Sequence, residues 1–292
     1  MPEPRPEVDP SPGTLFVVAT PIGHLGDLSP RARTVLEQVP VIAAEDTRTS
    51  QKLVQARRDP PRWIALHDHN EARAAERVVR HLLQGDDVAL VSDAGTPLIS
   101  DPGYRLVAAA HDAGVTVLPV PGPCAAIAAL SASGLSSDRF RFEGFLPPKR
   151  AARRKRLAEL TGVEHTMIFY VPARDLCPVI DDLAGAFGPD RLACVARELT
   201  KQFETVRRDR LDALSTWTAA DPDRQRGEAV VLVSGGPARP AATISPEAVA
   251  DALAGELAPA RAAKVIRALT GLPRADAFAL AEARRGTDDE GR

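Results

Sequence analysis

Residues 88–104, VALVSDAGTPLISDPGY, hold the most promising chemistry in the chain. The apolar run 88–91 shows no polar alternation, which predicts a strand buried on both faces. It stops at Ser92, Asp93, Ala94, Gly95 and Thr96, which bring a carboxylate, two hydroxyls and a glycine to the strand end where open α/β sheets bind ligands. A second cluster, Ser100-Asp101-Pro102-Gly103, follows at once. Two polar breakers in succession make a surface, whereas one would make only a turn.

Other predicted strand ends carry related loops. TPIGHLGD over 20–27 is one, and Glu45-Asp46-Thr47-Arg48 is another. The adjacent carboxylates Glu45 and Asp46 suit either an acid/base pair or the negative charges favoured at a helix N-terminus. His67-Asp68-His69 points two imidazoles to one side of an extended segment but offers no third ligand for a catalytic zinc, so capping and hydrogen bonding are expected of it. Arg197-Glu198-Leu199-Thr200-Lys201, taken alone, reads as a surface salt-bridge cluster. The densest charge is Lys149-Arg150 with Arg153-Arg154-Lys155-Arg156. This is either a solvated helix face or a phosphate-binding surface. Cations at the start of a helix oppose its macrodipole, which argues for the phosphates, with Phe145 nearby as a stacking surface. Neither GxGxxG nor GxxxxGK[ST] occurs, so the usual nucleotide cradles are missing and a small ligand held by strand-end loops is expected.

The elements that must position these loops can be read from the pattern. Buried strands are predicted at 14–19, 41–44, 64–66, 88–91 and 115–120. Between them lie a helix over 30–39 capped by Ser29, a helix after Asn70 as its cap, and a helix over 104–113. Five strands alternating with helices imply a parallel sheet with right-handed crossovers. Three prolines within 118–123 mark a linker. A small-residue helix over 124–132 then opens a second α/β pattern with strands at 166–171, 191–196 and 228–233. The expected organisation is a disordered lead-in over 1–12, α/β domains over 13–121 and 122–237 with a ligand cleft between them, and a helical C-terminal segment over 245–285.

With 292 residues, 44% of them apolar, the chain can bury a sizeable core. No run reaches the ~20 apolar residues of a membrane-spanning helix, and the proline-rich start does not resemble a signal peptide. Three dispersed cysteines fit a reducing cytoplasm and argue against a disulfide framework or a zinc site. A net charge of −2 gives no global attraction to nucleic acid and leaves only local patches for that purpose.

Taken together, TPIGHLGD, AAEDTRTS, LHDHNE, VSDAGTPLISDPGY, PGPCAA, FEGFLPPK and ARELTK resemble the small-subunit ribosomal RNA methyltransferases of the tetrapyrrole-methylase-like superfamily, in order over residues 13–233. The resemblance implies S-adenosylmethionine-dependent 2′-O-methylation of a cytidine ribose in the decoding region of small-subunit (16S) rRNA, by a cytoplasmic enzyme, with the superfamily commonly dimeric. It implies cofactor contacts from Ser92, Asp93, Ala94, Gly95, Thr96, Cys124, Ala125 and Tyr170. Where many relatives carry a glutamate after the Phe-Tyr pair, this chain has Val171, so no acidic role transfers there. The sulfonium methyl is already electrophilic, so alignment and exclusion of water dominate, and neither a metal nor a covalent intermediate is required. Glu45, Asp46, Glu198 and Lys201 are the candidates to take or orient the ribose proton. Arg48, Lys149, Arg150 and Arg197 are the expected grips on RNA phosphates. A superfamily methylase acting on a tetrapyrrole or a protein residue, and a non-catalytic RNA-binding assembly protein, are the alternatives.

Overall fold

The computed structural model describes residues 11–54, 57–236 and 245–285, so most of the expected lead-in lies outside the described residues. The chain divides into two compact units, Met1–Gly236 and Pro237–Arg292.

The first unit holds two five-stranded sheets. In the first sheet, β1 (Thr14–Val18), β2 (Val41–Ala44), β3 (Arg62–Ala65), β4 (Val88–Val91) and β5 (Thr116–Val120) lie in the order β3-β2-β4-β1-β5, all parallel. Helices α3 (Glu71–Leu83) and α4 (Tyr104–Asp112) cover one face, where Val78, Leu82 and Leu106 meet Leu15, Val88 and Leu90. On the other face, Ala32 and Leu36 of α1 (Pro30–Gln38) meet Val18, Ile42 and Val91. Burying side chains of this kind contributes ~1.5–3 kcal/mol each. Covering on both faces is why these strands read as unbroken apolar runs.

Two sequence expectations are corrected in this half. Asn70 occupies the N-cap position of α3, but its side chain turns back, accepting the His67 N–H at 2.9 Å and donating to the Ala65 carbonyl at 3.1 Å. Pro119 belongs to a strand, not to a linker. β5 pairs only with β1, and an edge strand tolerates a residue without an N–H.

In the second sheet, β6 (Phe140–Phe145), β7 (Thr166–Pro172), β8 (Leu192–Arg197), β9 (Thr205–Arg210) and β10 (Glu228–Val233) lie in the order β6-β7-β10-β8-β9. β6 and β7 are parallel, and the other pairings are antiparallel. Two of these strands, β6 and β9, are absent from the sequence reading; both are edge strands. Helix α5 (Ala125–Ser133) packs Ala126, Ala129 and Leu130 on the face formed by Ile168, Cys194 and Leu232. The opposite face is covered by α6 (Arg150–Glu159), α7 (Leu176–Phe187) and α8 (Leu211–Ala219).

The second unit contains α9 (Pro246–Leu253), α10 (Pro259–Thr270) and α11 (Arg274–Arg285), packed around Ala250, Ala262, Ile266, Ala277 and Ala281. Among the described residues no helix is long and apolar enough to cross a membrane.

Candidate active-site cleft between the sheets

The carboxyl ends of β1, β2 and β4 carry three loops that brace one another. Thr20 and Gly95 form an isolated antiparallel bridge, with backbone hydrogen bonds of 2.8 and 3.1 Å. The Asp46 N–H donates to Asp93 Oδ1 at 3.0 Å, and the Asp93 N–H donates to the Glu45 carboxylate. Thr96 Oγ1 donates to the Pro123 carbonyl at 2.9 Å and so ties the third loop to the segment entering α5. Beyond it, Leu98 and Ser100 hold left-handed φ values of 73° and 70°, an uncommon conformation for residues with side chains and one that concentrates at functional sites.

The joint to the second sheet is equally close. The His24 N–H donates to Thr200 Oγ1 at 3.1 Å. A Cβ on Gly23 would lie 2.6 Å from Lys201 Cγ and 2.7 Å from Thr200 Oγ1, so only glycine permits this approach. Glu198 and Thr200, on the facing segment, also take left-handed φ values of 51° and 64°.

Between the loops lies a cleft of roughly 450 Å³, within the size range of small-molecule sites. Asp93, Ala94, Gly95, Thr96, Ala125, Tyr170, Glu45 and Lys201 line it. Ser92 lies buried behind this wall, where its hydroxyl hydrogen-bonds the Asp101 carboxyl. Cys124 packs against the core beside Tyr170 and does not line the cleft.

The four candidates for proton transfer separate by environment. Asp46 caps α2 (Thr47–Ser50) and is gripped by Arg48 through contacts of 3.1 and 2.9 Å, which hold its carboxyl down at about 2. It is an N-cap and not a free base. Burial opposes ionisation of Glu198, but the Glu228 N–H at 2.8 Å and Lys201 Nζ at 3.2 Å keep its carboxyl below the usual range. Burial likewise opposes charge on Lys201, yet Glu228 at 2.8 Å and Glu198 hold its ammonium protonated. Glu45 alone is pushed up, by burial and by the neighbouring Asp101, Asp93 and Asp68.

Asp101, missed in the sequence reading, completes an acidic wall with Glu45 and Asp93. Burial first, and then Asp93, raise its carboxyl from an ordinary 3.8 to about 6. None of the three carboxylates has an ion-pair partner among the described residues, so the cleft favours a cationic ligand. The signal in the sequence was the Ser100-Asp101-Pro102-Gly103 cluster, which marks a surface without saying which side chain turns inward. Because the folded protein holds the Asp101 proton more tightly than the unfolded chain does, stability from this group falls as pH rises from about 4 to about 6. Asp101→Asn is therefore expected to raise the Tm at pH 7 by a few degrees, a gain that vanishes below about pH 4 in a melting series.

The expected phosphate grips fare unevenly. Arg48 is exposed but engaged by Asp46. Arg197 is only 7% exposed and donates to the Arg226 carbonyl at 3.2 Å, so it is corrected from an RNA contact to an internal group. Within the basic run, Arg150, Arg153 and Arg154 converge on Asp182 at 3.1, 2.7 and 2.8 Å. A buried carboxylate on α7 thus accounts for cations at the unfavourable end of α6. Lys149, exposed at the N-cap of α6, makes no ion pair among the described residues.

Comparison with known proteins agrees with this architecture. The family model of the Tetrapyrrole (Corrin/Porphyrin) Methylases matches residues 14–215. Among solved structures of similar fold are the methyltransferase CobJ (TM-score 0.58, 22% identity, covering 77% of this chain and 95% of that one) and the uroporphyrin-III C-methyl transferase of Thermus thermophilus complexed with S-adenyl homocysteine (TM-score 0.51, 18% identity, 76% and 97%). Curated relatives named ribosomal RNA small subunit methyltransferase I include that of Xylella fastidiosa (strain Temecula1), 52% identical over 90% of this chain and 97% of the relative. The protein of that name from Pseudomonas aeruginosa is 51% identical over 90% and 94%. The chain belongs to the tetrapyrrole methylase family and, within it, to the ribosomal RNA small subunit methyltransferase I family.

Proposed function

We propose that the protein is an S-adenosylmethionine-dependent methyltransferase of small-subunit ribosomal RNA, and that its target is the 2′-hydroxyl of a cytidine ribose in the decoding region. The observation that carries the reading is near-full-length identity of about half with relatives bearing that name, in a chain whose strand-end cleft is walled by unpaired carboxylates. The residues present fit such a cofactor. Asp93 and Asp101 offer negative charge to a sulfonium, while Ile22, Ala125 and Val230 supply apolar walls. Asp93 to Thr96, Ala125 and Tyr170 would hold it. When bound, it supplies an already activated methyl group.

The chain's own part is then alignment and proton handling. Glu45 accepts the ribose proton as the hydroxyl oxygen takes the methyl, because among the four candidates it alone is free of a cation and is raised toward neutrality. Lys201, fixed between Glu198 and Glu228, positions the cleft edge as a permanent cation. Lys149, with Arg48 and Arg150 where their internal partners leave them solvent-facing, contacts RNA phosphates. We further place the enzyme in the cytoplasm, where its substrate is assembled, and as a homodimer. The test is transfer of labelled methyl to assembled small subunits and to naked rRNA, with the modified ribose mapped by its resistance to alkali. Label at one cytidine is expected. Absence of label on both substrates, with calorimetry showing that cofactor binds, would overturn the assignment.

A further inference from the structure

Strand β6 breaks its own period beside the cleft. It pairs with β7 through Phe140↔Thr166, Arg141↔Met167 and Phe142↔Ile168, then through Gly144↔Phe169 and Phe145↔Tyr170. Glu143 and Gly144 thus share one register step. Strict alternation would place Phe145 on the sheet face opposite to Phe142. The bulge returns it to the same face, so that Phe142 and Phe145 flank Tyr170 with ring centroids 5.0 and 5.5 Å away and interplanar angles of 74° and 65°. Gly144 makes the step possible at φ 64°, and a Cβ there would stand 3.3 Å from Ser100 Oγ.

The result is an aromatic ladder that ends in an open ring. Phe142 and Tyr170 pack against the core, whereas Phe145 is 58% exposed and lines the cleft. Burial does not explain that position, since the ring stays largely exposed, whereas strict alternation would have turned it toward the face covered by α6, α7 and α8. Bulges of this kind re-aim side chains next to active sites. Edge-to-face packing on Tyr170 holds the ring while leaving more than half of it exposed. Four residues later, Lys149 presents an ammonium with no ion pair among the described residues, at the N-cap of α6. An exposed aromatic ring followed by such a cation suits a planar heteroaromatic group attached to a phosphodiester.

We propose that Phe145 is the platform on which the base of the target nucleotide stacks, so that its ribose faces Glu45 across the cleft. This rests on the rRNA reading above. Stacking on an aromatic side chain is sequence-tolerant, and truncation to alanine costs about five- to 150-fold in affinity. The experiment is steady-state methyl transfer to assembled small subunits by wild type, Phe145→Ala, Phe145→Leu and Phe145→Trp, with cofactor affinity measured by calorimetry for each. The expected result is a KM for subunits raised about tenfold or more in Phe145→Ala, little recovery in Phe145→Leu, recovery in Phe145→Trp and an unchanged cofactor Kd. Phe145→Trp fluorescence is also expected to be quenched by a short single-stranded RNA. Wild-type KM in Phe145→Ala, full recovery in Phe145→Leu, or a cofactor Kd weakened in parallel would each overturn the platform, the last by assigning the ring to the cofactor. Failure of the wild type itself to label subunits would instead sink the rRNA reading, and the platform with it.

Discussion

Glu45→Gln is expected to lower kcat for methyl transfer by about 10²–10⁴-fold while leaving cofactor affinity within a few-fold of wild type. The argument is one of elimination by environment. Asp46 is spent on Arg48 and the first turn of α2. Glu198 and Lys201 neutralise one another with the help of Glu228. Glu45 lines the cleft with no cation paired to it among the described residues, and burial together with Asp101 keeps its carboxyl above its ordinary 4.5, where it is a better proton acceptor. The wild-type rate should therefore rise with pH through a midpoint above 4.5, and this acidic limb should disappear in Glu45→Gln. Asp46→Asn, by contrast, should act on loop stability more than on turnover. A loss of less than tenfold in Glu45→Gln, with the acidic limb retained, would move the proton acceptor elsewhere in the wall.

Asp182→Ala should destabilise the protein by about 3 kcal/mol, the low end of the range for breaking a buried ion pair. The Asp182 side chain is 0% exposed and collects Arg150, Arg153 and Arg154. Arg150 and Arg154 are largely solvent-facing and can return to water. Arg153, with a side chain 6% exposed, cannot, and its stranded charge dominates the cost. Burial opposes ionisation of Asp182, yet the three guanidinium groups hold its carboxyl below 3.8, so its stabilisation is present above that value and is lost as pH falls below it. Chemical denaturation at pH 7 and pH 3 measures both statements. A change under about 1 kcal/mol at pH 7 would show that Arg153 finds another partner.

How much of this was legible depended on where the deciding contact lay. The first sheet was readable because its central strands are covered on both faces and end in polar loops, and both properties are local. β9 was not, because TVRRDR is an edge strand whose alternation is carried almost entirely by polar residues, with no apolar run. β6 was hidden by its bulge, which interrupts the period-two signal within six residues. Glu45 and Asp46 looked equivalent as neighbours. One lines the cleft while the other caps a helix, a distinction that only the direction of the chain after β2 decides. The basic run misled for a related reason, since its counter-charge, Asp182, lies about 30 residues downstream on another helix.

The unpaired acidic wall has a bearing on turnover as well as on binding. Methyl transfer from a sulfonium leaves a neutral thioether, so under the proposed function Asp93 and Asp101 would hold the cofactor through a charge that the transfer removes. The attraction that would load the cleft would thereby be cancelled, lowering its affinity for the spent cofactor. Asp101→Asn, the more stable variant, should accordingly discriminate less between charged cofactor and neutral product and should show stronger product inhibition; equal inhibition in the two proteins would argue that release is governed by loop opening instead.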